Sequence, residues 1–266
     1  MKKKPRKKAG LRRKKKRKIK KIKRPEPSHR LESFDFQVGR ILAKKYRVES
    51  LIGKGWEGEV YRMIELQSGA ERAGKFFYPH RNPNNKALKI ASRKLHKLRN
   101  CPILMKYHTQ EMIWHHGFRV PFLVSEFVEG ELLSHFLKRQ PGRRLHYFQA
   151  LSFLYVLAKG LESIHKMNEY HGDLHSDNIM IKAHGLGFEI KLIDMHWWGS
   201  AKPENINGDV YDLIKLFHEL LGGARYYSKQ PIEIRSMLCN LRRHAIIRKY
   251  RSAGKLRDYI ESIEWH

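Results

Sequence analysis

The chain is poor in cysteine, in acidic residues and in long apolar runs, and each shortage closes off a class of protein. Two cysteines in 266 residues, Cys101 and Cys239, cannot form a disulfide framework and do not approach a metal-ligand spacing. They fit buried thiols in a reducing cytoplasm. No run reaches the roughly eighteen apolar residues of a membrane-spanning helix, and the basic start lacks the apolar stretch of a secretory signal. Acids number 26 against 55 Lys and Arg, a net charge of +29. The shortage is sharpest in two places. Residues 1–24 hold seventeen Lys or Arg with no acid and no aromatic ring, and no Asp or Glu lies between Glu71 and Glu111.

A block of like charge without aromatics cannot bury a core, so residues 1–30 are predicted to be a disordered polybasic tail ahead of a domain at 31–266. The Pro25-Glu-Pro27 step marks the boundary. Such a tail attracts nucleic acid through counterion release, and without stacking rings the binding should tolerate any sequence. An acidic protein substrate, anionic lipid or a merely solubilising role are the alternatives. Leu11, Ile19 and Ile22 are too few to build a membrane-inserting helix face. The other 38 basic and 26 acidic residues still leave the domain at +12, and 41% of the whole chain is apolar, enough for a sizeable core.

What is present begins with His171-Gly-Asp-Leu-His-Ser-Asp-Asn178, an H-x-D-x-x-x-x-N loop. Asp173 can accept or orient a hydroxyl proton, and Asn178 offers a neutral oxygen to a hard cation. Upstream, Ile52-Gly-Lys-Gly-Trp-Glu-Gly-Glu-Val60 reads G-x-G-x-x-G-x-V between two alternating segments, Tyr46–Ile52 and Glu59–Glu65. That is a strand-turn-strand, whereas a dinucleotide fingerprint would open a helix. Its glycines let backbone N–H groups approach phosphates. Glu71-Arg-Ala-Gly-Lys75 is a short strand whose Lys needs an anionic partner. Phe122–Val128 is an apolar strand running into the bend at Glu129-Gly-Glu131. Glu189–Asp194 is a strand ending in an acid. Gly208-Asp209 starts an amphipathic helix with Val210, Leu213, Ile214, Phe217 and Leu220 on one side.

In this order and spacing, the six elements resemble a protein kinase from about Phe36 to Gly222, particularly the compact eukaryotic-like Ser/Thr kinases of bacteria. The H-G-D-L-H loop is also similar to that of aminoglycoside and choline phosphotransferases. The resemblance implies an α+β, two-lobed fold, with a small antiparallel lobe at about 36–127 and a trimmed helical lobe at about 128–266. It implies an ATP- and Mg²⁺-dependent cytoplasmic phosphotransferase acting on a protein substrate. In that reading Lys75 holds the α/β-phosphates, Asp173 is the catalytic base, His175 faces the γ-phosphate, and Asn178 and Asp194 bind Mg²⁺. Gly53, Gly55 and Gly58 cover the phosphates. Ile52, Val60, Ala73 and Met180 sandwich the adenine, Glu126 and Val128 meet its edge through their backbones, and Glu131 reaches the ribose. Asp209 braces the catalytic loop from beneath.

Periodicity places helices at Asn85–Arg99, Leu132–Arg139, from Phe148 to His165, and at Ile232–Arg251 and Lys255–Ile263, with two further strands at Thr109–Phe118 and Arg119–Phe127. The sequence departs from the family in several places. The Asn85–Arg99 helix should carry a Glu to pair with Lys75, but it is wholly basic. Lys75 must therefore find Asp194, Glu111 or the nucleotide itself. Gly172 stands where an Arg often precedes the catalytic Asp, and Met195-His196 follow Asp194. Little chain is left between Asp194 and Asp209 for an activation segment. Two rival readings stay open: a small-molecule kinase, favoured by the missing peptide-docking segment, and a nucleotide-binding pseudokinase, favoured by the missing Glu. Trp197-Trp198 is expected to cap a core, with an acceptor groove as the alternative.

Overall fold

The computed structural model describes residues 30–185 and 187–264. The polybasic segment 1–24 and the Pro25-Glu-Pro27 step lie outside the described residues. Six strands form an antiparallel sheet: β1 (Ile41–Leu42), β2 (Tyr46–Lys54), β3 (Gly58–Glu65), β4 (Glu71–Phe77), β5 (Tyr107–His115) and β6 (Phe118–Glu126). Their order is β1-β2-β3-β4-β6-β5. Alternation sends Tyr46, Val48, Tyr61 and Met63 to one face. The run Val120–Ser125 is buried continuously because β6 is covered on both sides. On one side Phe34, Phe36, Tyr61, Phe76 and Phe122 pack together. On the other, helix α1 (Lys86–Lys97) lays Leu88 and Leu95 against Phe77 and Leu123.

Apolar packing starts ahead of the expected small-lobe boundary at Phe36, since Leu31 and Phe34 already belong to this core. A fully buried carboxylate explains how they are tied down. Glu59 accepts from Phe34 N at 3.1 Å, Ser33 Oγ at 2.9 Å, Tyr61 Oη at 2.7 Å and Tyr78 Oη at 3.0 Å, and pairs with Lys54 at 3.2 Å. Burial alone would raise its pKa, but these donors hold it below the ordinary value.

Glu126 ends the small lobe, and the chain enters a second sheet, β7 (Glu131–Leu132), β8 (Ile179–His184) and β9 (Gly187–Leu192), paired in that order. Helices α2 (Leu133–Arg139), α3 (Tyr147–Lys166), α4 (Pro203–Leu220), α5 (Ile232–Leu238), α6 (Arg243–Tyr250) and α7 (Ala253–Glu261) complete the two-lobed α+β fold. Helix α3 buries a broad face, with Ala150, Phe153, Leu154, Leu157, Leu161 and Ile164 in the core, and leaves Gln149, Ser152, Val156, Lys159 and Lys166 exposed. The expected stripe was too narrow, and Phe148 at its start is exposed. Helix α4 begins before Gly208, because Pro203 suits a first turn and Asn205 Oδ1 accepts from Lys202 N at 3.0 Å. The helix expected over Ile232–Arg251 is broken. Cys239, Asn240 and Leu241 all take left-handed φ of 49–56°, which no helix continues. The break lets Met237 and Leu238 of α5 and Ile246 and Tyr250 of α6 all reach one core. A 3-10 turn at Gly223–Lys229 was also not anticipated. Among the described residues no helix is long and apolar enough to cross a membrane.

Candidate active site

The glycine hairpin is the β2–β3 turn. Gly53 lies opposite Val60, and Val60 lies opposite Lys75 on β4, so three neighbouring strands bring the loop over the lysine. The glycines differ in purpose. A Cβ on Gly58 would sit 1.8 Å from Phe76 O, so no side chain fits there. Gly55 has open space and Gly53 only ordinary contact with Val60, which leaves the loop's inner side clear.

Lys75 Nζ sits 2.9 Å from Asp194 Oδ1 and 3.2 Å from Glu57 Oε2. Burial pushes the ammonium down, but the two carboxylates outweigh it and hold its pKa above the ordinary value. Burial likewise acts to raise Asp194, and Lys75 more than offsets this, keeping it below the usual carboxylate range. Of the two expected side-chain partners of Lys75, Asp194 is confirmed. Glu111 is not, because on β5 it pairs with Lys45 of the β1–β2 turn. Glu57, in the glycine loop itself, was missed. The signal available was an acid in the turn of a hairpin that covers a buried cation.

The His171–Asn178 loop is held by buried groups. His171 is fully buried, with Nε2 3.1 Å from Ile193 O and Nδ1 accepting from Asp173 N at 3.3 Å. Burial pushes its pKa down, as suits a neutral ring with one donor and one acceptor. Asp209, also buried, accepts from His171 N at 2.7 Å, Gly172 N at 2.8 Å and His165 Nε2 at 2.9 Å. It braces the loop as expected. Gly172 has φ +84°, and a Cβ there would meet the Tyr170 ring at 2.8 Å, which accounts for the missing Arg.

Asn178 donates through Nδ2 to Asp173 O at 2.8 Å and Asp173 Oδ2 at 3.2 Å, and His175 Nε2 lies 2.9 Å away. With its amide nitrogen so engaged, the amide oxygen is the part of the side chain left to accept a ligand. Asn178 O accepts from Ile193 N at 3.0 Å, which ties this loop to the strand end bearing Asp194. Two oxygen side chains, one neutral and one anionic, suit a hard cation that takes its other ligands from phosphate and water. His175 turns toward Asp173 and Asn178, with Nε2 3.6 Å from Asp173 Oδ2.

Glu126, Val128 and Met180 line a cavity between the lobes, together with Phe127, Glu129, Lys182, Glu189 and Lys191. Glu126 N is already spent on Lys106 O at 2.9 Å. Ile52, Val60 and Ala73 lie on β2, β3 and β4 and do not line that cavity. Glu131 is the exception, because both guanidinium nitrogens of Arg139 take its carboxylate. Reaching a ribose would require giving up that bidentate pair. The tandem tryptophans cap no core: Trp198 is 69% and Trp197 42% exposed. Trp198 instead lies on the catalytic loop, its Nε1 donating to Gly172 O at 2.9 Å.

Comparison with known proteins agrees with the two-lobed fold. A family model described as protein kinase domain matches residues 46–234. The serine/threonine-protein kinase PknA of Corynebacterium glutamicum is 26% identical over 223 residues, covering 72% of this chain and 46% of that protein. An Aurora kinase of Eremothecium gossypii is 27% identical over 236 residues, covering 77% of this chain and 57% of that one. The chain spans about half the length of these two relatives. The PknI kinase domain of Mycobacterium tuberculosis has a similar fold, with a TM-score of 0.65 at 17% identity, covering 85% of this chain and 98% of that one.

Proposed function

The chain belongs to the protein kinase family, and on that premise we propose that it transfers the γ-phosphoryl group of ATP to a Ser or Thr hydroxyl of a protein substrate. The observation that carries this reading is the convergence of Asp173, Asn178, Asp194 and Lys75 through the Asp173–Asn178 hydrogen bonds, the Asn178–Ile193 link and the Lys75–Asp194 pair. Asp173 orients the acceptor hydroxyl and takes its proton as the oxygen bonds to the γ-phosphorus and the bond to ADP breaks. Lys75 neutralises the α/β-phosphates. Asn178, through its amide oxygen, and Asp194 would hold Mg²⁺, which supplies charge neutralisation across the phosphates. His175 steadies Asp173 and Asn178. The purine lies between Ile52, Val60 and Ala73 above and Met180 below, with Glu126 and Val128 at its edge.

The missing helix Glu is met by two acids on Lys75, which favours a competent enzyme over a pseudokinase. The short chain between Asp194 and α4 favours a small acceptor as the second reading. Residues 1–24 are proposed as a sequence-tolerant nucleic-acid anchor, and the protein as cytoplasmic. Purified protein with γ-labelled ATP and Mg²⁺ should label serine or threonine in added protein. Label in an aminoglycoside or choline instead would install the second reading. Nucleotide binding without any transfer would install the pseudokinase.

A further inference from the structure

Lys94 is a buried titratable group that the proposed chemistry leaves unused. It lies on α1, only 5% exposed, and among the described residues no carboxylate pairs with it. Its Nζ donates to His196 O at 2.8 Å and lies 4.3 Å from the centre of the Tyr170 ring. A buried ammonium without a counterion weakens a fold. Burial pushes its pKa down to about 8, with Lys97 acting in the same direction and Glu169 and Asp209 acting against it. At pH 7, below both the folded value and the ordinary one, that cost to stability is present in full. Packing alone gives no reason to keep a charge there.

Its acceptor supplies one. His196 stands two residues beyond Asp194, and its N donates to His171 O at 2.9 Å. The peptide chain after Asp194 is thus fastened on one side to the catalytic loop and on the other to α1. Trp198 N, donating to Tyr170 Oη at 2.7 Å, extends the fastening. Asp194 itself has φ +51°, a conformation that L residues adopt only where the surroundings impose it. One turn along α1, Lys97 pairs with Glu169 at 2.8 Å, so the helix meets the large lobe at two points.

We propose that Lys94 is a positioning residue for Asp194: its ammonium, seated on the His196 carbonyl, couples α1 to the metal-binding segment in place of the carboxylate that α1 lacks. In this arrangement the lobes are coupled through a backbone carbonyl, while Lys75 draws its second acid from the glycine loop. The role rests on reading Asp194 as a ligand of the kinase site.

The test compares the full chain with Lys94→Met and Lys94→Arg. Amide hydrogen exchange without nucleotide follows His196 and Trp198, and thermal melting follows the whole fold. In Lys94→Met the two amides should exchange about tenfold faster, as loss of a charge-assisted hydrogen bond predicts. The melting temperature should stay level or rise. Half-saturating Mg²⁺ for ATP turnover should increase, with Lys94→Arg, which can still donate, recovering part of both effects. Unchanged exchange at His196 and Trp198 would overturn the proposal. So would faster exchange across the whole chain with a lower melting temperature, since Lys94 would then be structural. If the wild type transfers no phosphoryl group, the kinase reading fails while the exchange measurement still decides whether Lys94 orders the segment.

Discussion

Replacing Asp209 by Ala should be among the most damaging single changes in the large lobe, although Asp209 touches no reactant. Its carboxylate is 1% exposed and serves His171 N, Gly172 N and His165 Nε2 within 2.7–2.9 Å. Alanine leaves two backbone donors and an imidazole without their acceptor in a site that water does not reach. Each orphaned amide costs about 1–3 kcal/mol, and removing one partner of a buried, hydrogen-bonded charge costs roughly 3–5 kcal/mol. Because these describe the same loss, they are not additive, and about 4 kcal/mol is the expected destabilisation. For a domain of this size that lowers the melting temperature by roughly 8–16 °C. Asp209→Asn keeps one acceptor oxygen and should lose less. Thermal and urea unfolding of the three proteins, with matching m-values, would measure it. A loss under about 1 kcal/mol in Asp209→Ala would refute the bracing argument, since a surface carboxylate would behave that way.

Glu57→Gln should raise KM for ATP about two- to fivefold, because a partly exposed partner worth about 0.5–1 kcal/mol no longer holds Lys75 in place; a lowered KM in steady-state assays would show that Glu57 competes with the nucleotide instead. His115, His171 and His218 are all held below the ordinary pKa, chiefly by burial. The unfolded chain therefore binds more protons than the folded one as pH falls below about 6.5, and stability should decline from there; a flat unfolding free energy between pH 6.5 and about 5 in urea titrations would contradict this. Deleting residues 1–24 should leave melting and ATP affinity unchanged but reduce both affinity and salt slope for a fluorescent RNA. Equal slopes for both proteins would transfer the anchor to the basic segment around α6, with Arg242, Arg243, Arg248, Lys249 and Arg251.

The elements that set the active site were legible because each carries a local constraint. Glycines opposite a strand, a lone strand lysine and the Asp173–Asn178 spacing all follow from geometry within a few residues. Partner choice was less legible, because it depends on which loop tip reaches which strand. Nothing local in Glu57 says that it lies over Lys75, and Glu111 alternates along β5 as plausibly as any acid. Glu131 illustrates the same limit, since Arg139 reaches it only because α2 follows β7 directly. The break at Cys239–Leu241 was hidden by a basic, apolar-striped run that reads as one helix. Only the need to place both α5 and α6 on the large-lobe core divides it. Trp197 and Trp198 misled for the converse reason, as aromatic content alone does not distinguish a core cap from rings laid on a loop.

The central claim is that Asp173 acts on the acceptor hydroxyl while Lys75, Asn178 and Asp194 hold the nucleotide and its metal. Side-by-side assay of wild type and Asp173→Asn with Mg²⁺ and γ-labelled ATP tests it most directly, with ATP binding followed by the rise in melting temperature. Wild type should label protein serine or threonine, Asp173→Asn should not, and Mg²⁺-ATP should raise the melting temperature of both. Equal labelling by the two proteins, or no response of either melting curve to excess Mg²⁺-ATP, would contradict it.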